Sequence, residues 1–275
     1  MPSLEIGAAT GADRKRKALK ILAIGDVTSQ GGVNHLKSRL PGIIKAEGVD
    51  FTVVNGENAS FINGISKDSA EELLLAGADA ITGGNHTMSN YGSHSFLEET
   101  AAMVRPINYG DGAPGRGYSI IDTGKYRVLV INALGIVHIE PRLDSPYGFI
   151  DKALCECRGK YDVAVLDIHA EATGEKLALA HYFDGRINVV FGTHTHVPTA
   201  DGRILPKGTG YITDLGMCGE SGGILGMDPS TVIYKMKNRM PGRFKAADGE
   251  AVADGVIFTL DEKTLKCTDV KRISF

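Results

Sequence analysis

Short apolar runs, each ending in a polar residue, set the rhythm of this chain. LKILAIGD (19–26) stays apolar until it stops at Gly-Asp, the pattern of a strand buried on both faces that delivers a polar group at its carboxyl edge. A helical stretch is expected through Leu36, Leu40 and Ile44, after which DFTVVNGEN (50–58) repeats the strand, again with a glycine and an acid at its end. DSAEELLLAGA (68–78) predicts a second helix, opened by Asp68 or Ser69 and closed at Gly77. DAITGGNH (79–86) is a third strand running into polar residues. RVLVINAL (127–134), YDVAVLDIH (161–169), INVVFGTHTH (187–196) and GYITDLG (210–216) read as further strands, and EKLALAHYF (175–183) between two of them reads as an amphipathic helix. The last two runs, AVADGVIFTLD (251–261) and LKCTDVKRISF (265–275), predict an antiparallel pair.

Alternating strands and helices in the first half predict parallel β-α units, while the second half is richer in strands and turns. The expected class is α/β, with helices outside and two sheets packed inside. No repeat, low-complexity linker or break in composition marks a second domain. Residues 19–275 are therefore read as one domain, and 1–18 as a polar, disordered extension whose RKRK cluster is a solvated face.

Composition narrows the function. With 275 residues, 43% of them hydrophobic, the chain can bury a core without disulfides. A formal net charge of −3 gives no footprint for duplex nucleic acid, so a small substrate held in a local site is expected. Cys155, Cys157, Cys218 and Cys267 lack C-x-x-C spacing and are read as free thiols. No run approaches the ~18 apolar residues of a membrane span. The N-terminal segment has no apolar core of a secretory signal, so the cytoplasm is the expected location and no membrane partner is expected.

Five strand ends carry the candidate chemistry. Asp26 follows ILAIG, Glu57-Asn58 follow VVNG, Asn85-His86 follow ITGG, His169 follows VAVLDI, and His194 and His196 follow VVFGT. The carboxyl ends of parallel strands form the binding edge of an open α/β sheet, so these groups are expected to converge on one rim. Carboxylate, amide and imidazole without sulfur make a shell suited to Mn²⁺, Fe or Zn²⁺. Taken singly each piece has a plainer reading. GTHTH (192–196) could be hydrogen-bonded loop histidines, GNH a glycine turn with a polar tip, and GD a helix cap. Those readings do not explain why so many strand ends deliver metal-capable groups.

GD (25–26), NGEN (55–58), GGNH (83–86), DIHAEATGEK (167–176) and GTHTHVPTADGRILPKGTGYITDLGM (192–217) resemble, in order, the motifs of the calcineurin-like metallophosphoesterases, and within them the YmdB-like family. The similarity runs from about Leu19 to the C-terminus. The resemblance implies a four-layer α-β-β-α sandwich with two mixed sheets between helices. It also implies a cytoplasmic two-metal phosphodiesterase acting on 2′,3′-cyclic nucleotides through a metal-activated hydroxide. Asp26, with His196 and Asn58, is implied as the shell of a first metal, Glu57 as the carboxylate bridging both ions, and Asn85, His169 and His194 as the shell of the second. His86 is implied as proton donor to the leaving ester oxygen. The implied cofactors are two divalent or trivalent ions, iron or manganese ahead of zinc. A nucleotide or other small phosphate ester is the implied partner, and a homo-oligomer is left open. A nucleotide phosphomonoesterase and a metal-binding regulatory protein with weak turnover are the competing readings.

Departures from the family pattern are local. Thr28 stands where many two-metal phosphoesterases have a histidine, Ser29, Gly31 and Val33 replace the family's glycine, proline and arginine, and its N-H-T-W-D reads Asn85-His86-Thr87-Met88-Ser89. GESGGILGM (219–227) lacks a following G-K-[ST] and is read as a flexible wall of the substrate pocket. Asp201 and Asp214 are read as oxygen partners for the second N–H of metal-bound histidines. His138 and His181 are read as structural or surface residues, and His35 and His94 carry no constellation.

Overall fold

The computed structural model describes residues 18–60 and 63–275, so the extension expected before residue 19 lies outside it apart from Ala18, which opens the first strand. In chain order the strands and helices are β1 (Ala18–Ile24), β2 (Asp26–Val27), α1 (Ser29–Glu47), β3 (Phe51–Asn55), α2 (Lys67–Leu75), β4 (Ala80–Thr82), α3 (His94–Glu99), β5 (Met103–Val104), β6 (Tyr118–Asp122) and β7 (Arg127–Leu134). They continue as α4 (Pro146–Glu156), β8 (Val163–His169), α5 (Thr173–Phe183), β9 (Val189–Thr193), β10 (Arg203–Ile204), β11 (Gly210–Ile212), β12 (Met217–Glu220), α6 (Pro229–Asn238), β13 (Ala251–Asp261) and β14 (Cys267–Ser274).

Two mixed sheets form. The first runs β2-β12-β13-β1-β3-β4-β5, with β14 on β13, and the second runs β10-β11-β9-β8-β7-β6. β1, β3, β4 and β5 are mutually parallel, and so are β7, β8, β9 and β11. β13 and β14 pair antiparallel, as their sequence predicted.

Strict alternation along the strands explains the layering. Leu19, Ile21 and Ala23 of β1 meet Val128, Val130, Val163 and Val165 in a core between the sheets. Leu22 and Ile24 point the other way, to Leu36 and Leu40 of α1 and Leu73 of α2. On the far side Leu129, Ile131, Leu166 and Ile168 pack against Ile150 of α4 and Leu179 and Phe183 of α5. Strands apolar on both faces thus need a cover on each face, and three cores between four layers is the result. Among the described residues no helix is long and apolar enough to cross a membrane.

Differences from the sequence reading fall at edges and ends. α2 is capped two or three residues earlier than expected, by Ser66, whose hydroxyl accepts from Ser69 N. β6 and β10 are edge strands, and α6 buries only Val232, so none of them carries a strong apolar period. All four cysteines are free, Cys155 exposed and the others buried.

Candidate metal centre

The parallel strands of both sheets point their carboxyl ends at one rim. From the first sheet come Asp26 at the start of β2, Glu57 and Asn58 after β3, and Asn85 and His86 after β4. His169 ends β8 in the second sheet, and His194 and His196 follow β9. Every candidate read from the sequence therefore reaches the same place.

A buried polar bridge holds the two sheets in register beneath that rim. Asp167 Oδ2 of β8 accepts from Asn55 Nδ2 of β3 at 2.9 Å and Thr82 Oγ1 of β4 at 2.5 Å. Its other oxygen accepts from Thr193 Oγ1 of β9 at 2.7 Å. Burial pushes the Asp167 carboxyl up to about 6, against the pull of His169 and these hydrogen bonds.

Among the described residues two groups of donor atoms lie close enough to hold a cation, and Glu57 belongs to both: Glu57 with His169 and His194, and Asp26 with Glu57 and His196. In the first group His169 Nε2 lies 3.0 Å from Asn85 Oδ1, 3.1 Å from His194 Nδ1 and 3.2 Å from Glu57 Oε2. In the second, Asp26 Oδ1 lies 3.8 Å from His196 Nε2. That oxygen is buried without a hydrogen-bond partner among the described residues, whereas Asp26 Oδ2 accepts from His194 N at 3.0 Å. An unsatisfied buried carboxylate oxygen is costly and marks a place for a cation.

Each histidine turns one nitrogen toward the donors and gives the other an oxygen partner. His169 Nδ1 donates to Thr193 Oγ1 at 2.9 Å, His194 Nε2 faces Glu171 Oε2 at 3.1 Å, and His196 Nδ1 donates to the carbonyl of Leu225 at 3.2 Å. With those N–H groups spent outward, lone pairs from His169, His194, Glu57 and Asn85 face one another across about 3 Å, a repulsive arrangement unless a proton or cation stands among them. Burial disfavours a charged His169, but Glu57 and Asp26 outweigh it and raise that imidazole to about 9. His194 goes the other way, to about 3, through burial and the neighbouring His169. Burial raises the Asp26 carboxyl despite both nearby histidines. Glu57 is also opposed by burial, yet His169 and His86 hold it well below the ordinary range.

These partners correct the expectation for Asp201 and Asp214. Asp201 accepts from Thr199 and Thr213, and Asp214 from Thr195 N, Gly216 N and Lys176 Nζ, so neither meets an imidazole. They shape the loop that carries the histidines instead. His194 and His196 both have positive φ, 95° and 61°, a strained backbone that such bracing must sustain. The brace was not read from the sequence: Lys176 is fully buried, its Nζ donating to Thr193 O at 2.7 Å and Asp214 Oδ2 at 2.8 Å. A signal existed, because Lys176 sits with Leu179, Ala180 and Phe183 on the buried face of α5.

Close approach also demands glycine at one position. A Cβ on Gly84 would stand 2.2 Å from Glu57 Oε2 and 2.4 Å from His169 Nε2. His86, two residues on, has its Nδ1 2.9 Å from Asn58 Oδ1 and 3.4 Å from Glu57 Oε1. Asn58 in turn donates through Nδ2 to Glu57 Oε1 at 2.8 Å, so its amide links Glu57 to His86. Of the departures from the family pattern, Ser29 donates its backbone N–H to the Asn58 carbonyl at 3.0 Å, and the others make no contact with the donor side chains among the described hydrogen bonds. Thr28 is buried on the carbonyl of Cys218, Val33 lies in the core under α1, and Ser89 faces solvent.

A cleft of about 420 Å³ opens over the rim, between His86, Glu171, His194 and His196 on one side and Leu225, Met227 and Phe244 on the other. The glycine-rich segment thus supplies Leu225 and Met227 to the wall expected of it, and Phe244 was missed. A second cavity of about 440 Å³, between the loop near Arg105 and α4, carries none of these donors. His138 and His181 are exposed, and among the described residues the rings of His35 and His94 meet only backbone carbonyls and other rings.

A family model described as "YmdB-like protein" matches residues 22–273. The chain is 42% identical over 255 residues to the 2′,3′-cyclic-nucleotide 2′-phosphodiesterase of Bacillus subtilis (strain 168), with 93% of this chain and 96% of that one covered. A crystal structure of a novel phosphatase from Mycoplasma pneumoniae superposes with a TM-score of 0.87 at 32% identity, covering 94% of each chain. A hypothetical protein of Thermus thermophilus superposes with a TM-score of 0.86 at 36% identity, covering 94% of this chain and 99% of the other.

Proposed function

The chain belongs to the YmdB-like family, and from that premise we propose that it is a metal-dependent phosphodiesterase that opens the ring of 2′,3′-cyclic nucleotides. One observation carries the reading: a single carboxylate, Glu57, is shared by two donor groups, the geometry a two-cation clamp on a phosphoryl group requires. Asp26, His196 and Asn58 would hold one ion with Glu57, and Asn85, His169 and His194 the other. The orphaned Asp26 Oδ1 and the facing lone pairs around His169 fit cations, and the sulfur-free shell fits iron or manganese, then zinc. When bound, the ions supply Lewis acidity at the phosphoryl group and lower the pKa of water there.

The chain's own residues do the rest. His86 has its Nδ1 engaged by Asn58, and its Nε2, without a hydrogen-bond partner among the described residues, would carry a proton to the departing ribose oxygen. Glu57 holds His86 N through Oε2 at 3.1 Å, so the shared carboxylate positions the backbone that carries the acid. Leu225, Met227 and Phe244 offer an apolar wall for the nucleoside and limit water in the cleft.

Elemental analysis of freshly purified protein, run with a panel of 2′,3′- and 3′,5′-cyclic nucleotides, tests the reading. Two ions per chain and selective opening of the 2′,3′ rings are expected, as is faster turnover of bis-p-nitrophenyl phosphate than of the monoester. A preference for monoesters would install the phosphomonoesterase reading, and metals without turnover would install the regulatory one.

A further inference from the structure

We propose that the polymer substrate of this site is the 3′ end of a single-stranded RNA terminating in a 2′,3′-cyclic phosphate, its upstream nucleotides lying on the face formed by α6 and the segment after it. The inference rests on the phosphodiesterase reading above and deepens it from a mononucleotide to a chain.

Residues 229–247 hold Lys235, Lys237, Arg239, Arg243 and Lys245 and no acid, on a chain whose formal net charge is −3. Among the described residues only Lys245 of these has a carboxylate within ion-pair distance, Asp248 at 3.8 Å. Aromatic rings are interleaved with the charges: Tyr234 is 55% exposed and Phe244 50% exposed. Sequence-tolerant binding of single strands uses cations along the phosphates and rings for the bases, and here Tyr234 is the ring with no cation over it among the described residues.

The face is continuous with the cleft. Phe244 belongs to the cleft wall beside Leu225, and Lys235 Nζ lies 3.4 Å over the centroid of its ring. The route therefore runs from His194 and His196, past Phe244, to Lys235 and along α6, whose 10 residues extend about 15 Å. A mononucleotide held at the rim has no further phosphate to offer the cations beyond the cleft. An RNA end has its cyclic phosphate at the rim and must lead its chain out over this border. The exposed Ile233 and Met236 would equally suit an anionic bilayer, but a bilayer gives no reason for the face to run into the catalytic cleft.

The step itself is hydrolysis. Water adds to phosphorus, the P–O2′ bond breaks, and the 2′ oxygen leaves as a hydroxyl with one proton. The new 3′-monoester keeps or releases the other according to pH.

The test compares kcat/KM of the full, metal-loaded chain on 2′,3′-cyclic AMP and on a short oligoribonucleotide ending in the same cyclic phosphate. The oligomer is expected to exceed the mononucleotide by about tenfold at low salt, an advantage that shrinks as salt rises. Lys237→Glu with Arg243→Glu, both exposed positions, is expected to bring the ratio of the two substrates toward unity at an unchanged Tm. Turnover of the mononucleotide with no oligomer advantage, or an advantage indifferent to salt and to the variant, overturns this inference alone. Failure on both substrates overturns the phosphodiesterase reading with it. Flotation with phosphatidylserine-containing vesicles that the variant abolishes, without an oligomer advantage, assigns the face to a membrane and also overturns the inference.

Discussion

The two sheets end in different chemistry. The first delivers oxygen donors to the rim, Asp26, Glu57, Asn58 and Asn85, while the second delivers the imidazoles of His169, His194 and His196. They are also held differently. Backbone N–H groups fix the carboxylates, His194 N on Asp26 and His86 N on Glu57. Oxygen partners outside the rim fix the imidazoles, Thr193, Glu171 and the Leu225 carbonyl. Positive φ falls on His194 and His196 and on none of the oxygen donors, so among the residues that face the rim the backbone strain lies on the loop after β9. A carboxylate needs only donors and can sit at an unstrained strand end. An imidazole must present one nitrogen and cap the other, which constrains its loop. Neither sheet has a site alone, and the Asp167 bridge sets the distance across which they meet.

The comparison is broken most severely at the shared carboxylate. Glu57→Gln is expected to lower kcat by roughly 10³-fold or more and to reduce bound metal, because an amide lacks the charge to serve two cations. Survival of both rate and stoichiometry in that variant would show that Glu57 does not link the halves. On the same side, His86→Ala should retain its metals and lose roughly 10²–10⁴-fold on a ribose ester, where the leaving oxygen is strongly basic. On a nitrophenyl ester the loss should be far smaller, and equal losses on both would turn His86 into a binding residue.

The second sheet is attacked through its brace. Lys176→Met leaves Asp214 buried without its cation and should cost about 3–5 kcal/mol in urea unfolding of the metal-free protein. A single variant within about 1 kcal/mol of the parent would remove the brace from the account. The smallest effect is a proton. His169, raised to about 9 in the metal-free chain, supports the fold below its ordinary value near 6.5, a contribution lost as pH rises through 9. Metal binding needs the neutral ring, so loading near pH 7 should release about one proton per chain from this residue. Calorimetry in buffers of different ionisation enthalpy reads that number, and no release would mean the ring was already neutral.

Much of this was legible along the chain. The runs at 127–134 and 251–261 match β7 and β13 end to end, because a strand buried on both faces carries its apolar signal over its whole length. The donors were legible because a buried run that stops at a polar residue marks a rim. Edge strands such as β10 and the exposed α6 lack that contrast, and their roles could not be seen from it. The sequence by itself thus determined the layers and the donor types, since both follow from periodicity within a few residues. The family resemblance already implied that Glu57 serves both groups, whereas tertiary structure alone decided which nitrogen each histidine presents and that Lys176 reaches Asp214 under their loop. Those outcomes depend on which strands become neighbours and how far apart the two sheets pack, and that is fixed by burial summed over the whole core.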